Sequence, residues 1–140
     1  MEIIQQWKQD DSDFIRKKLI EHNMEQLPDE LKTSYEDISF VLRSDSGTII
    51  GGITGNMFWH HMHIDFLWVD KSVRGKGYGS KLLKKMECFA IDKGVRLIHL
   101  DTFSFQAPEF YKSKGYEVFG TIENHPKGFN QLFLQKRFEK

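Results

Sequence analysis

The chain has 140 residues, 39% hydrophobic and 29% charged, and its 20 basic and 20 acidic residues cancel. This length and composition predict one globular domain over residues 1–140. The balanced charge excludes the concentrated basic surface of a typical nucleic-acid-binding protein. The apolar runs are too short to cross a bilayer, so we expect no membrane partner. The single cysteine, Cys88, excludes an internal disulfide, and we expect a cytoplasmic protein.

The first third of the chain predicts an edge strand and a helix. Residues 2–7 are short and partly apolar, as in an edge strand. Acidic residues at 10–13 favour a helix N-terminus, where the helix dipole stabilises negative charge. The predicted helix carries Phe14, Ile15 and Leu19 inward.

Three strands follow, over residues 38–43, 48–56 and 61–69. The first two are joined by 44–47, whose Ser-Asp-Ser-Gly sequence is typical of a hairpin turn. Simple alternation in the third strand places Ile64, Phe66 and Trp68 on one face. It places four residues on the other face, namely His63, Asp65, Leu67 and Val69.

The second half alternates helices and strands. Apolar residues recur at helical spacing from Tyr78 to Ala90, and Gly94 is the expected residue beyond the helix C-terminus. We predict a buried strand at 95–100, a short helix from Pro108, and final strands at 116–122 and 130–138. The predicted fold class is therefore α/β with a mixed, mostly antiparallel sheet.

The segment between the third strand and the long helix predicts an anion site. Glycines at 75, 77 and 79 let the backbone bend and approach a ligand closely, and Arg74 and Lys76 add positive charge. The free N–H groups and the dipole of the following helix favour a phosphate or pyrophosphate. The spacing matches neither a P-loop nor a dinucleotide fingerprint.

Two motifs in this order resemble the GNAT superfamily of N-acetyltransferases. The pattern R/Q-x-x-G-x-G/A matches residues 74–79, and A-x-x-x-Y-x-x-x-G-F/Y matches residues 107–116. They lie on either side of the strand at 95–100. The resemblance implies a GNAT-like fold with splayed middle strands and helices on both faces of the sheet.

The resemblance also implies acetyl-CoA as co-substrate, held by the strand end and the glycine-rich loop. The implied cofactor-binding residues of this segment are Leu67, Trp68, Val69, Arg74, Gly75, Lys76, Gly77, Tyr78, Gly79 and Ser80. The family often carries an asparagine soon after the next strand, and this chain does not. Either Ser104 or Gln106 could supply that polar contact.

Acetyl transfer to an amine needs an acid, a base and an oxyanion donor. The resemblance favours Tyr111 as the acid that protonates the leaving thiolate, and a phenol is protonated at neutral pH. A backbone N–H near Leu67 would stabilise the oxyanion. His63 is the candidate base because some family members carry a glutamate at the matching position. Asp65 could be the base instead, or could orient the histidine.

Several alternatives stay open at this point. His61, His63 and Asp65 invite a metal site, but a polar wall for the acceptor is favoured and no metal is expected. The acceptor is expected to be a small-molecule amine. The rival function is an acetyl-CoA sensor without transferase activity. The resemblance also allows a homodimer.

Overall fold

The computed structural model describes residues 1–138, which form two compact units, 1–33 and 34–138. The first unit holds helix α1 (Gln9–Gln26) and a 3₁₀ turn at Asp29–Leu31. The prediction of a strand at 2–7 is wrong, because these residues pair with no strand. The prediction that Phe14, Ile15 and Leu19 face inward is also wrong, because all three side chains are exposed. Within this unit, one helix and one turn cannot enclose an apolar core.

The second unit is a six-stranded mixed sheet with two helices. Its elements in chain order are β1 (Glu36–Arg43), β2 (Ile49–Phe58), β3 (His61–Val69), α2 (Tyr78–Asp92), β4 (Leu97–Phe103), α3 (Pro108–Ser113), β5 (Glu117–Glu123) and β6 (Asn130–Arg137). The strand order is β1-β2-β3-β4-β6-β5, and only β3 and β4 pair in parallel. The mixed, mostly antiparallel sheet predicted from the sequence is confirmed. No helix among residues 1–138 combines the length and apolarity that a bilayer crossing requires.

The core lies where α2 packs on the central strands. Leu82, Leu83, Met86 and Ala90 recur at helical spacing and are all buried. The largest fully buried side chains come from α2 and from four strands, namely Ile53, Met62, Leu83, Met86, Ile98, Leu100 and Leu134. Burying each such side chain contributes about 1.5–3 kcal/mol to stability relative to its exposed state. This core fixes the central strands against α2.

A polar network joins α2 to the last strand and to the end of α3. The Tyr116 hydroxyl donates to Glu87 at 2.9 Å, and Lys136 Nζ lies 3.0 Å from the same carboxylate. Lys136 Nζ also donates to the Lys114 carbonyl at 2.9 Å. Burial and the Glu87 charge raise the pKa of Tyr116, so its hydroxyl stays a donor. The network ties elements that are far apart in the chain.

A β-bulge interrupts β3, so the side chains beyond it lie on the faces opposite to those predicted. Gly55 pairs with Ile64 and Thr54 pairs with Phe66, so Asp65 is one extra residue in β3. The extra residue reverses the alternation beyond it. Leu67 and Val69 pack against the core on the side of Ile64, whereas Phe66 and Trp68 are exposed. The prediction that His63 and Leu67 share a face is therefore wrong.

The residue opposite the bulge must be glycine for a steric reason. A Cβ on Gly55 would lie 2.8 Å from the carbonyl oxygen of His63, which is closer than real contacts allow. We expect Gly55→Ala to push β2 and β3 apart and to lower the free energy of unfolding by about 1–3 kcal/mol. Urea unfolding followed by tryptophan fluorescence measures this loss.

A matched strand glycine provides the control. A Cβ on Gly120 in β5 would meet its nearest atom at 3.9 Å, which is ordinary contact. Gly120→Ala should change stability by less than about 1 kcal/mol. Equal losses in the two variants would contradict a steric requirement at the bulge.

Candidate active site

A cleft opens where β3 and β4 separate. The two strands pair only from His61↔Leu97 to His63↔His99. Beyond these pairs lies a cleft of about 850 Å³, lined by both strands, by the segment that leads into α2, and by α3. A separated pair of parallel strands leaves main-chain donors and acceptors without strand partners. The cleft can therefore receive an extended ligand that pairs with the backbone.

The edge of β3 that faces this cleft carries Leu67 and Val69. The N–H of Asp70 bonds to the Ile50 carbonyl of β2 at 2.8 Å. Because main-chain groups alternate sides along a strand, those of Leu67 and Val69 point away from β2. The Val69 carbonyl accepts a hydrogen bond from Arg74 Nε at 2.9 Å. That contact holds Arg74 at the end of β3.

The glycine-rich loop has the backbone conformation that its sequence predicts. Gly75 and Gly77 have φ angles of 81° and 84°, in the left-handed region that favours glycine. Gly77 is the N-cap of α2, and the first helical hydrogen bond runs from the Lys81 N–H to the Gly77 carbonyl at 3.1 Å. The earlier N–H groups of the helix have no intrahelical partner. Their residues line the cleft, so this end of the cleft suits an anion.

Asp70 stabilises the turn before that loop. Its carboxylate accepts hydrogen bonds from the Ser72 hydroxyl and from the Ser72 N–H. These two bonds, followed by the charges of Arg74 and Lys71, hold the pKa of Asp70 below its usual value. The carboxylate stays ionised and fixes the 3₁₀ turn at Lys71–Val73.

Most of the predicted cofactor-binding residues line this cleft. They are Leu67, Trp68, Val69, Arg74, Gly75, Gly77, Tyr78, Gly79, Ser80, Gln106 and Tyr111. Lys76 and Ser104 are not among the lining residues. The Ser104 hydroxyl accepts from the Asn130 N–H at 3.0 Å, which joins it to β6. The side-chain oxygen of Gln106, Oε1, accepts a hydrogen bond from the Phe103 N–H at 2.8 Å at the end of β4.

Tyr111 places a buried phenol on the α3 side of the cleft. Burial and, to a lesser extent, the charge of Asp101 raise the pKa of Tyr111 to about 12. The hydroxyl is therefore protonated throughout the physiological range.

His63 lies between two carboxylates at the point where the strands separate. Its Nδ1 is 2.7 Å from Asp65 Oδ1, and its Nε2 is 3.8 Å from Asp101 Oδ1. Asn56 Nδ2 donates to Asp65 at 3.1 Å, and Gln131 Nε2 donates to Asp101 at 2.8 Å. If Nδ1 donates its proton to Asp65, Nε2 keeps its lone pair and faces Asp101.

His99 adds a neutral imidazole beside His63. The two ring centroids are 4.6 Å apart, and on its other side His99 stacks on His61 at 4.9 Å. Burial, followed by the neighbouring His63 and His61, lowers the pKa of His99 to about 4. Positive charge therefore does not accumulate on this ring near neutral pH.

The sequence prediction missed Asp101 and His99 as site residues. The predicted strand ended at residue 100, whereas β4 continues to Phe103 because it pairs with β6 as far as Gln131. Alternation of His99 and Asp101 in the sequence was the signal that could have revealed them. As for the metal alternative, no three His, Cys, Asp or Glu side chains converge as a metal site among the described residues.

The lowered pKa of His99 makes the stability of the fold dependent on pH. The unfolded chain binds a proton at His99 near pH 6.5, whereas the folded chain does so only near pH 4. The contribution of His99 to the free energy of unfolding is therefore fully present above pH 6.5 and is lost as the pH falls toward 4. We expect NMR to show the His99 ring titrating near pH 4, and His99→Gln to flatten the stability profile between pH 6.5 and 4. A ring that titrates near 6.5 would contradict this assignment.

Several known proteins resemble this chain in sequence or in fold. The family model described as "Acetyltransferase (GNAT) family" matches residues 2–116. Blasticidin-S acetyltransferase of Streptomyces morookaense is 37% identical over 93 residues, which cover 66% of this chain and 68% of that protein. The crystal structure of an acetyltransferase from Bacillus cereus ATCC 14579 is 50% identical, covers 98% of both chains and has a TM-score of 0.94. An aminoglycoside 6'-N-acetyltransferase complexed with coenzyme A is 18% identical over 75% of both chains, with a TM-score of 0.66, and shows a similar fold.

Proposed function

Because the chain belongs to the acetyltransferase (GNAT) family and is an acetyl-CoA-dependent N-acetyltransferase, we propose that it acetylates the primary amine of a small molecule by direct attack in a ternary complex. The observation that carries the proposal is the cleft between β3 and β4. Its α2 end suits an anion, Asp65 and Tyr111 are among its lining residues, and His63 pairs with Asp65 at 2.7 Å. The blasticidin-S acetyltransferase, by its name, acts on a small molecule and supports that acceptor class.

The residues of the cleft fit acetyl-CoA. The left-handed turns at Gly75 and Gly77 leave open space where a side chain would stand, since nothing lies within 4 Å of an added Cβ. The pyrophosphate would bind there, on the N–H groups of α2. The pantetheine arm would pair with the main chain of Leu67 and Val69. Acetyl-CoA supplies the thioester carbonyl that the amine attacks.

The amine must lose a proton before it can attack. His63 can accept that proton at Nε2, because Asp65 receives a hydrogen bond from Nδ1 and fixes the tautomer. In this assignment Asp65 orients His63 and is not itself the base. The amine nitrogen then forms a bond to the carbonyl carbon, and the oxyanion is stabilised by the Leu67 N–H.

The carbon–sulfur bond breaks in the second half of the reaction. The thiolate takes the proton of the Tyr111 hydroxyl, which is held in the neutral form by burial. The attached nitrogen still carries an extra proton after the attack and releases it, and this second proton returns to the Tyr111 oxygen directly or through solvent. The first proton passes from His63 to solvent, which restores the base. The products are the acetamide and the free thiol of coenzyme A.

Tyr111→Phe tests the assignment of the acid. The variant keeps the ring and removes only the proton, so we expect kcat to fall roughly 10²-fold with acetyl-CoA affinity little changed. Thiol release from acetyl-CoA in the presence of a panel of primary amines measures kcat, and the thermal shift with acetyl-CoA measures binding. Unchanged turnover would mean that water protonates the thiolate.

Gly77→Val serves as the binding control in the same experiment. A β-branched residue at this positive φ costs about 1–2 kcal/mol of backbone energy and removes the anion site. Wild-type protein at acetyl-CoA a hundredfold above its Kd should gain about 2.7 kcal/mol of stability, and the variant should lose this gain. A wild-type protein that shows neither a thermal shift nor thiol release would refute the proposed function.

The pH dependence of kcat/KM tests His63 as the base. Protonation of a general base stops the reaction, so the wild-type profile should decline on its acidic side. We expect His63→Gln to lose most of the activity together with this decline. Asp65→Asn should lower activity while keeping an acidic limb, since the imidazole remains. An acidic limb that survives in His63→Gln would assign the proton transfer to Asp65 or to solvent.

A further inference from the structure

Aromatic side chains form a shelf beside the reaction site that the mechanism does not use. The aromatic shelf consists of Phe103, Phe105, Phe129 and His125. Phe103 stacks on Phe105 with centroids 5.4 Å apart, and Phe129 meets Phe105 edge to face at 5.3 Å. His125 lies 5.8 Å from Phe103. The shelf therefore holds its rings in fixed mutual orientations at the end of β4.

The shelf is open to solvent at the mouth of the cleft. Phe105 is 57% exposed and Phe129 is 46% exposed, and Phe105 also lines the cleft. Large apolar side chains at this exposure cost solvation free energy, and clusters of them mark binding surfaces. Rings of this kind offer their faces to a planar group, which can bind by stacking.

Asp101 carries the nearest fixed negative charge on the same strand. Gln131 Nε2 donates to its Oδ2 at 2.8 Å and holds the carboxylate in place. Its Oδ1 is 3.8 Å from His63 Nε2, which is too long for a direct hydrogen bond. An ammonium nitrogen beside this gap can lie about 2.8 Å from both atoms and bridge them. Asp101 therefore suits a cationic amine at the position from which His63 removes the proton.

The Asp101 carboxylate and the aromatic shelf lie close enough together for one acceptor molecule to contact both. Asp101 and Phe103 are two residues apart on β4 and share a face, so they are separated by about 7 Å along the strand. A ring on the shelf would thus lie a few bonds from an amine at Asp101. An acceptor without a ring would satisfy the carboxylate but leave the shelf exposed.

From this juxtaposition we infer that the acceptor is a cationic primary amine joined by a short spacer to a planar ring. Asp101 binds the ammonium group, and the aromatic shelf binds the ring. The inference rests on the proposed function and specifies its substrate class. It makes Asp101 an acceptor-binding residue, and Phe105 and Phe129 the residues that determine specificity.

Two amines of matched size and charge test the inference. 3-Phenylpropylamine carries a planar ring, and 3-cyclohexylpropylamine carries an apolar ring that is not planar. We expect wild-type kcat/KM to favour the phenyl compound, and Phe105→Ala to reduce the phenyl-to-cyclohexyl ratio about tenfold, in keeping with the usual strength of aromatic stacking. Phe129→Ala should reduce the ratio in the same direction.

The control variant is Phe119→Ala. Phe119 lies on β5, is exposed to a similar degree as Phe105, and contacts Phe133 instead of the shelf. It should leave the ratio unchanged. Asp101→Asn should raise KM for both amines roughly tenfold to a hundredfold, because it removes a charged hydrogen bond. Its thermal shift with acetyl-CoA should stay as in the wild type.

The outcomes separate this inference from the proposed function. Acetylation of both amines with an equal ratio in wild type and Phe105→Ala would overturn the role of the shelf while leaving the transferase function intact. A preference for spermidine, which has no ring, over 3-phenylpropylamine would also overturn the role of the shelf. Unchanged KM in Asp101→Asn would overturn its role as the ammonium site. Binding of acetyl-CoA without acetylation of any amine would instead refute the proposed transfer.

Discussion

The extra residue at Asp65 is the constraint on which the site depends. Up to His63, β3 lies between β2 and β4 and pairs with both. One inserted residue increases the local twist of a strand and redirects its side chains. Beyond it, β3 stays paired with β2 but leaves β4, and the cleft opens between them. The same insertion turns Leu67 toward the core while its main chain faces the cleft.

Charged and titratable side chains lie close together between the bulge and α3. His63 lies between Asp65 and Asp101, and the Asp101 charge adds to burial in raising the pKa of Tyr111. The neutral His99 lies beside this line and adds no positive charge that would compete with a cationic ligand. With two carboxylates and the neutral His99 and Tyr111 rings, this region suits a cation. The opposite end of the cleft, at the start of α2, prefers anions.

The sequence predicted the parts of the site that depend on residue type. Gly75 and Gly77 were recognisable because few other residues adopt a positive φ, and the helix after them has clear apolar periodicity. It could not predict the faces of β3, because one unpaired residue reverses an alternation that looks regular. Gly55, one of three glycines in β2, was the available sign of that bulge. Asp101 was missed because the predicted strand ended at residue 100, whereas pairing with β6 extends β4 to Phe103.

The backbone angle at Gly75 and Gly77, and not the space around them, determines which residues the fold accepts in their place. Nothing lies within 4 Å of a Cβ placed on Gly75 or Gly77, so the fold restricts these positions through backbone angle and not through volume. Asparagine enters the left-handed region several times more readily than other residues with a side chain. Related chains that hold asparagine at Gly75 or Gly77 would thus keep the same turn. A size-based measure of substitution tolerance would misjudge both positions, since alanine is smaller than asparagine yet less suited to this conformation.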